Sequence, residues 1–205
     1  DRLALQQRGL VDLLVRLGRP QTSEALFRGV VEGLRGLGSP EASLVCRDRR
    51  EGPVRPQAHS GTDLALGSVE DLLRDGGGVV GRILATGEPY LCLDVRQDPL
   101  AVVLSPQTRC ELGVPLRGED GHSWGVLRVG RPEPRSLSLT QDGELLSALA
   151  SYLVLRLERQ EAFDSLGREL DRMRLLHGMV QELGRARDLE DLARMVADLV
   201  ARRMG

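Results

Sequence analysis

The chain has 205 residues, of which 41% are hydrophobic, 28% charged and 2% aromatic. That length suits one domain with extensions, and the apolar fraction is too high for a disordered tail. With 28 basic against 30 acidic residues, the net charge of -2 gives no reason to expect nucleic acid or a membrane surface as partner.

Every basic residue is Arg; the chain has no Lys and no Asn, a bias that fits a GC-rich bacterial genome. Within this segment that excludes a P-loop Lys, a Schiff-base Lys, a kinase strand Lys and an Asn that orients a catalytic His. Cys46, Cys92 and Cys110 are odd in number, widely spaced and without a C-x-x-C pair, so neither a disulfide framework nor a zinc site is expected. No secretory signal is visible and no apolar run reaches the length of a bilayer span. The expectation is a cytoplasmic protein. The chain starts at Asp1 rather than Met, which reads as a piece of something longer.

Residues 3–17 carry Leu3, Leu10, Leu13, Leu14 and Leu17 at helical spacing, ended by Gly18 and Pro20. Thr22 or Ser23 then caps a helix that puts Leu26, Val30 and Leu34 on one face and stops at Gly36, Gly38 and Pro40. Residues 42–46 and 54–59 read as a strand hairpin, and the Gly- and Asp-rich residues 61–78 as a loop with a short helix. A helix follows over 79–86, closed by Gly87 and Pro89, and then a strand over 90–95. Residues 96–109 are an irregular connection. Residues 110–116 and 124–129 are two strands joined by the turn Gly118-Glu119-Asp120-Gly121. Thr140 is expected to cap a long helix whose stripe of Leu145, Leu146, Leu149, Leu153 and Leu157 packs on the sheet. Strands in hairpins, rather than alternating with long helices, predict an α+β fold: a central antiparallel sheet flanked by helices.

The long helix continues. Phe163, Leu166, Leu170, Met173, His177 and Val180 follow a 3-4 spacing, the seam of a parallel coiled coil, with Glu169 and Arg174 placed to pair between strands. A homodimer through this helix is expected. Residues 10–38 also align without a gap on 176–204, repeating Leu-Gly-Arg in register: Leu17-Gly18-Arg19 and Leu183-Gly184-Arg185. The expected organisation is a domain over 1–160, a linker helix over 161–183 and the opening helices of a second copy over 184–205.

Catalytic signatures are weak. Gly76-Gly77-Gly78-Val79-Val80-Gly81 satisfies G-x-G-x-x-G, but the segment before it is acidic and helical rather than a strand, so it reads as a hinge. His59, His122 and His177 have no ligand partner at metal spacing, and His177 lacks the acidic neighbour of a phospho-acceptor. Cys92 and Cys110 read as small buried hydrophobes. No metal or cofactor is expected.

From Gly78 onward an ordered set of short motifs accumulates: Gly81-Arg82-Ile83-Leu84-Ala85-Thr86-Gly87-Glu88-Pro89, Leu93-Asp94-Val95, Asp98-Pro99, Glu111-Leu112-Gly113-Val114-Pro115-Leu116, Trp124-Gly125-Val126-Leu127-Arg128-Val129 and Leu139-Thr140-Gln141-Asp142. In order and spacing this resembles the GAF domain family over roughly residues 10–160. The resemblance implies a sheet flanked by helices, a pocket between the sheet and residues 61–109, and a regulatory module that joins to output domains through long helices. By position it makes Asp94, Asp98, Thr108, Arg109 and Cys110 the candidate residues for an unidentified small-molecule ligand. The cyclic-nucleotide motif of the family is absent, since it needs Asn and Lys. Cys110 is followed by Glu111 rather than His, which argues against a bilin. Two alternatives stand beside the sensor. One is an enzyme like the free methionine sulfoxide reductases, which share the fold but place their Cys residues differently. The other is a structural dimerisation module that binds nothing.

Overall fold

The computed structural model describes residues 11, 13, 15, 17–18, 22–47, 49–50, 52–61, 77–102 and 105–183. It divides into two compact units, Asp1–Glu158 and Arg159–Gly205.

In the first unit, residues 11, 13, 15 and 17 are helical, and Leu13 and Leu17 are buried. Helix α1 (Ser23–Gly36) begins at Thr22, whose hydroxyl accepts the Ala25 amide at 3.3 Å. It buries Leu26, Phe27, Val30, Val31 and Leu34. Strands β1 (Glu41–Cys46) and β2 (Arg55–Ser60) form the expected hairpin, with a bulge between Leu44 and Val45. The short helix expected within 61–78 falls outside the described residues. Helix α2 (Gly78–Thr86) closes on Gly87, which is left-handed at φ 70° and donates to Ile83 O at 2.8 Å.

Strand β3 (Tyr90–Cys92) is shorter than the expected 90–95. Asp94 is the cause: its side chain accepts the Arg96 amide at 3.1 Å and its carbonyl accepts the Gln97 and Asp98 amides, so the chain turns. Val95 still donates to Arg109 O at 2.9 Å, which ties the turn to the sheet. Strands β4 (Cys110–Arg117) and β5 (Ser123–Arg131) complete an antiparallel sheet of order β2-β1-β5-β4-β3. The α+β expectation therefore holds, with β5 at the centre.

Side-chain alternation divides the sheet into two faces. Ala42, Leu44, Cys46, Cys110, Leu112, Val114, Leu116, Leu127 and Val129 form one core with α1 and with Leu146, Leu149, Leu153 and Leu157 of helix α3 (Gln141–Leu183). Each of these fully buried leucines contributes about 1.5–3 kcal/mol. On the other face, α2 lays Val79 and Ile83 on Val45 and Val126. Gly113 makes room there, because a Cβ would stand 2.4 Å from the Ile83 side chain. At Gly125 a Cβ would meet Val45 O at 2.0 Å. The register pairs Leu116 with Gly125 and Arg117 with Ser123, which leaves Trp124 as the extra residue of a bulge, and its indole joins the helix-side core.

The start of α3 differs from the expected Thr140 cap. Ser138 does the capping: its hydroxyl accepts the Thr140 and Gln141 amides, and its carbonyl accepts the Asp142 and Gly143 amides. Asp142 reaches back to the Ser138 amide at 2.9 Å, a reciprocal arrangement that satisfies donors on both sides.

In the second unit, the helix continues unbroken to Leu183, giving α3 43 residues. Phe163, Leu166, Leu170, Met173 and Val180 are each 48–66% exposed, and His177 is exposed as well. Local pairs run along its surface: Arg159 lies over the Phe163 ring at 5.5 Å, Arg168 meets Glu161 at 3.4 Å and Arg174 meets Asp171 at 3.5 Å. The expected second copy over 184–205 lies outside the described residues.

Candidate functional site

The face of the sheet under α2 is built in three cross-strand rows. The register places Val45, Val126 and Pro115 side by side, then Ser43, Arg128 and Gly113, then Glu41, Gly130 and Glu111. The first row is apolar and lies under α2. The other two carry charge into the protein interior.

Arg128 and Glu111 are each 3% exposed at the side chain and form an ion pair through Nη1 and Oε1. Arg128 Nε also donates to Ser43 Oγ at 3.1 Å. Gly113, next to Arg128 in its row, has no side chain. In the last row Gly130 stands between the two glutamates. Thr108 donates from Oγ1 to Glu41 Oε2, and both residues are buried. A Cβ at Gly130 would stand 2.9 Å from Thr108 Cγ2 and 3.3 Å from Glu41 Oε2, so this glycine leaves the space that the pair occupies.

Beside that pair is a cavity of about 320 Å³, walled by Arg35, Pro40, Glu41, Gly61, Gln107, Thr108, Gly130, Arg131 and Pro132. Its size is that of a small-metabolite site. Arg131 is buried. It donates from Nη1 to Ser136 O at 2.7 Å and from Nη2 to Asp142 Oδ1 at 2.8 Å.

Of the five residues placed by sequence, Thr108 lines this cavity. Asp94 and Arg109 hold each other in a two-pronged pair, Nε to Oδ1 at 3.1 Å and Nη2 to Oδ2 at 2.7 Å. The hydrogen bonds from Arg109 and from the Arg96 amide hold Asp94 below the usual carboxylate range, and the same pair raises Arg109. Asp98 accepts the Tyr90 hydroxyl at 2.9 Å and the Leu100 amide at 2.9 Å. Burial pushes Asp98 up, but the bonds from Leu100, Tyr90, Cys92 and Ala101 outweigh it and hold the acid low. Burial, then the bond to Asp98, raises Tyr90. Cys110 is fully buried in the helix-side core.

All three cysteines are free and buried. Burial, and then the bond and charge of Asp98, push the Cys92 thiol up to about 12, the reverse of what a nucleophile needs. Among the described residues, no cluster of three or more His, Cys, Asp or Glu is placed to hold a metal, and no helix is long and apolar enough to cross a membrane.

Sequence reasoning missed Glu41, Ser43, Glu111, Arg128 and Arg131. A signal for two of them was available. Glu111 and Arg128 each interrupt a strand at an inward position between apolar neighbours, which solvated surface charges do not do.

Comparison with known proteins fits this architecture. A family model described as GAF domain matches residues 20–158. No curated protein matches. Among solved structures, free methionine-R-sulfoxide reductase from Neisseria meningitidis, in complex with its substrate, is 22% identical with a TM-score of 0.65, covering 78% of this chain and 93% of that one. A putative GAF sensor protein from Burkholderia vietnamiensis is 16% identical with a TM-score of 0.65, covering 79% and 99%. The GAF domain of a phosphoenolpyruvate-protein phosphotransferase from Coxiella burnetii is 18% identical with a TM-score of 0.65, covering 80% and 99%. At these identities the structural likeness speaks for the fold alone. With its sheet order, its helix placement and a family model spanning most of its length, the chain belongs to the GAF domain family.

Proposed function

We propose that this GAF domain is a cytoplasmic sensor of a bacterial signalling protein, which binds a small molecule at the sheet face and passes the event to an output domain along α3. The observation that carries the reading is the cavity beside Glu41 and Thr108. Two buried polar side chains are kept hydrogen-bonded at its wall, next to open space, where a purely structural domain would place apolar packing. The second half of α3 is the proposed dimer contact. Its Phe163, Leu166, Leu170, Met173, His177 and Val180 seam faces a second copy of the chain, which would cover the apolar side chains now exposed there.

A reductase reading requires an activated thiol. The burial of Cys46, Cys92 and Cys110, with Cys92 pushed up to about 12, weighs against it. A thermal-shift screen against nucleotides, amino acids and small aromatic metabolites tests the sensor. The expected result is at least one compound that raises the melting temperature of the native domain and fails to do so for Thr108→Val. If no compound does so while seam variants still abolish output in the full-length protein, the domain is a dimerising spacer instead.

A further inference from the structure

The cavity wall and the first turn of α3 are joined by hydrogen bonds and by the covalent chain between them. Thr108 holds Glu41 and packs on the space left by Gly130. The adjacent Arg109 amide donates to Arg131 O at 2.8 Å. The Arg131 side chain then grips Asp142 Oδ1 and Ser136 O. Asp142 uses its other oxygen for the Ser138 amide, and Ser138 holds the Thr140, Gln141, Asp142 and Gly143 amides that open α3. Elsewhere in this unit the contact between α3 and the sheet is an apolar stripe, Leu146, Leu149, Leu153 and Leu157, which is non-directional. The Arg131–Asp142 pair is directional and sits at the helix start.

We propose that Arg131 is the positioning residue that transmits the state of the cavity wall to α3, with Asp142 as its receiver. The inference rests on the sensor reading for its biological use, though not for its physics. Three features fit the role. Arg131 belongs to the cavity wall and to the helix cap at once. Its planar fork fixes direction as well as charge, which an apolar contact does not. Its Nε is buried and has no hydrogen-bond partner among the described residues, so the guanidinium is not saturated in this arrangement and a second one that satisfies Nε is within its chemistry. A shift at residues 107–109 moves the β5 end, turns the guanidinium on Asp142 and loosens or tightens the Ser138 cap.

The test is a double-mutant cycle that needs no ligand. Amide exchange at residues 140–146 is measured in the native domain, in Thr108→Val, in Asp142→Asn and in the double variant. Thr108→Val removes the hydroxyl that holds Glu41 at nearly constant volume, and Asp142→Asn keeps the shape of the receiver while removing its charge. The expected result is that Thr108→Val changes exchange at the start of α3 by about threefold or more, and that the same substitution has little further effect in the Asp142→Asn background. A purely structural cap gives the Asp142→Asn effect alone, with the two changes additive, and that result overturns the proposal. Arg131→Lys supplies a second path to the same answer: it retains charge, loses the fork, and is expected to uncouple Thr108 from α3 as Asp142→Asn does. Additivity combined with a ligand hit in the thermal-shift screen refutes the Arg131 link and leaves the sensor standing. Non-additivity with no hit, together with seam variants that still abolish output, leaves the link in place and removes the sensor.

Discussion

Breaking the Arg128–Glu111 pair is expected to be among the most damaging single changes in the domain. Both side chains are 3% exposed, and Arg128 is held by Glu111 and by Ser43. Glu111→Gln takes the ion-pair partner from a guanidinium deep in the sheet face, and removing one partner of a buried pair costs about 3–5 kcal/mol. Against a typical domain stability of about 5–15 kcal/mol, that is about a fifth of the total at the least. The double variant Glu111→Leu with Arg128→Met removes both charges together and replaces them with apolar groups. Its cost is expected to stay within about 1–2 kcal/mol of the native domain, because the desolvation of two ions disappears with the attraction between them. Urea unfolding reads this directly through Trp124, the sole tryptophan, which is buried in the core. Single-variant losses under about 1 kcal/mol, or a double variant as unstable as the sum of its singles, would refute the burial argument.

The remaining predictions use other parts of the fold. Native protein at neutral pH is expected to resist thiol alkylation at Cys46, Cys92 and Cys110, and to label at all three in denaturant; rapid native labelling of Cys92 would contradict its raised thiol. Because that thiol is held up to about 12 against an ordinary value of 9.0, the unfolded state loses its proton first, and stability falls as pH rises from about 9 to about 12. Asp98 works in the opposite sense. Its folded form favours the charge, so its contribution is present above the ordinary carboxylate value near about 4 and is lost as pH falls through the lower folded value. Tyr90→Phe removes one of the bonds that hold the charge and is expected to move the onset of acid unfolding to higher pH, with an unchanged acid limb as the contrary result. Leu166→Glu combined with Leu170→Glu is expected to convert a dimer to a monomer in sedimentation equilibrium without changing the melting of the first unit; a native chain that is already monomeric would exclude the α3 seam as the contact.

Much of the fold was legible because its punctuation is local. Thr22, Gly87 and the Gly118–Gly121 turn act within a few residues of themselves, and the structure uses each as expected. Where local signals compete, the structure departs from the expected element ends. Residues 90–95 have strand composition throughout, but Asp94 turns its own backbone and ends β3 at Cys92. Thr140 and Ser138 are both good caps, and Asp142 decides between them by reaching back to Ser138. The polar face of the sheet was hidden for a different reason. Glu41, Ser43, Glu111 and Arg128 come from three strands, and only the pairing register brings them into adjacent rows. A single sequence carries no register for β1 against β5. Arg131 was hidden in the same way, since its partner Asp142 lies beyond a proline-rich turn and in another element.

The most direct test of the account follows amide exchange in the native domain with and without a compound that the thermal-shift screen selects. New protection is expected at residues 105–109 and 130–132 around the cavity, together with a change at 138–146 where α3 begins. Protection confined to a different surface, or protection at the cavity with no change at the start of α3, would contradict it.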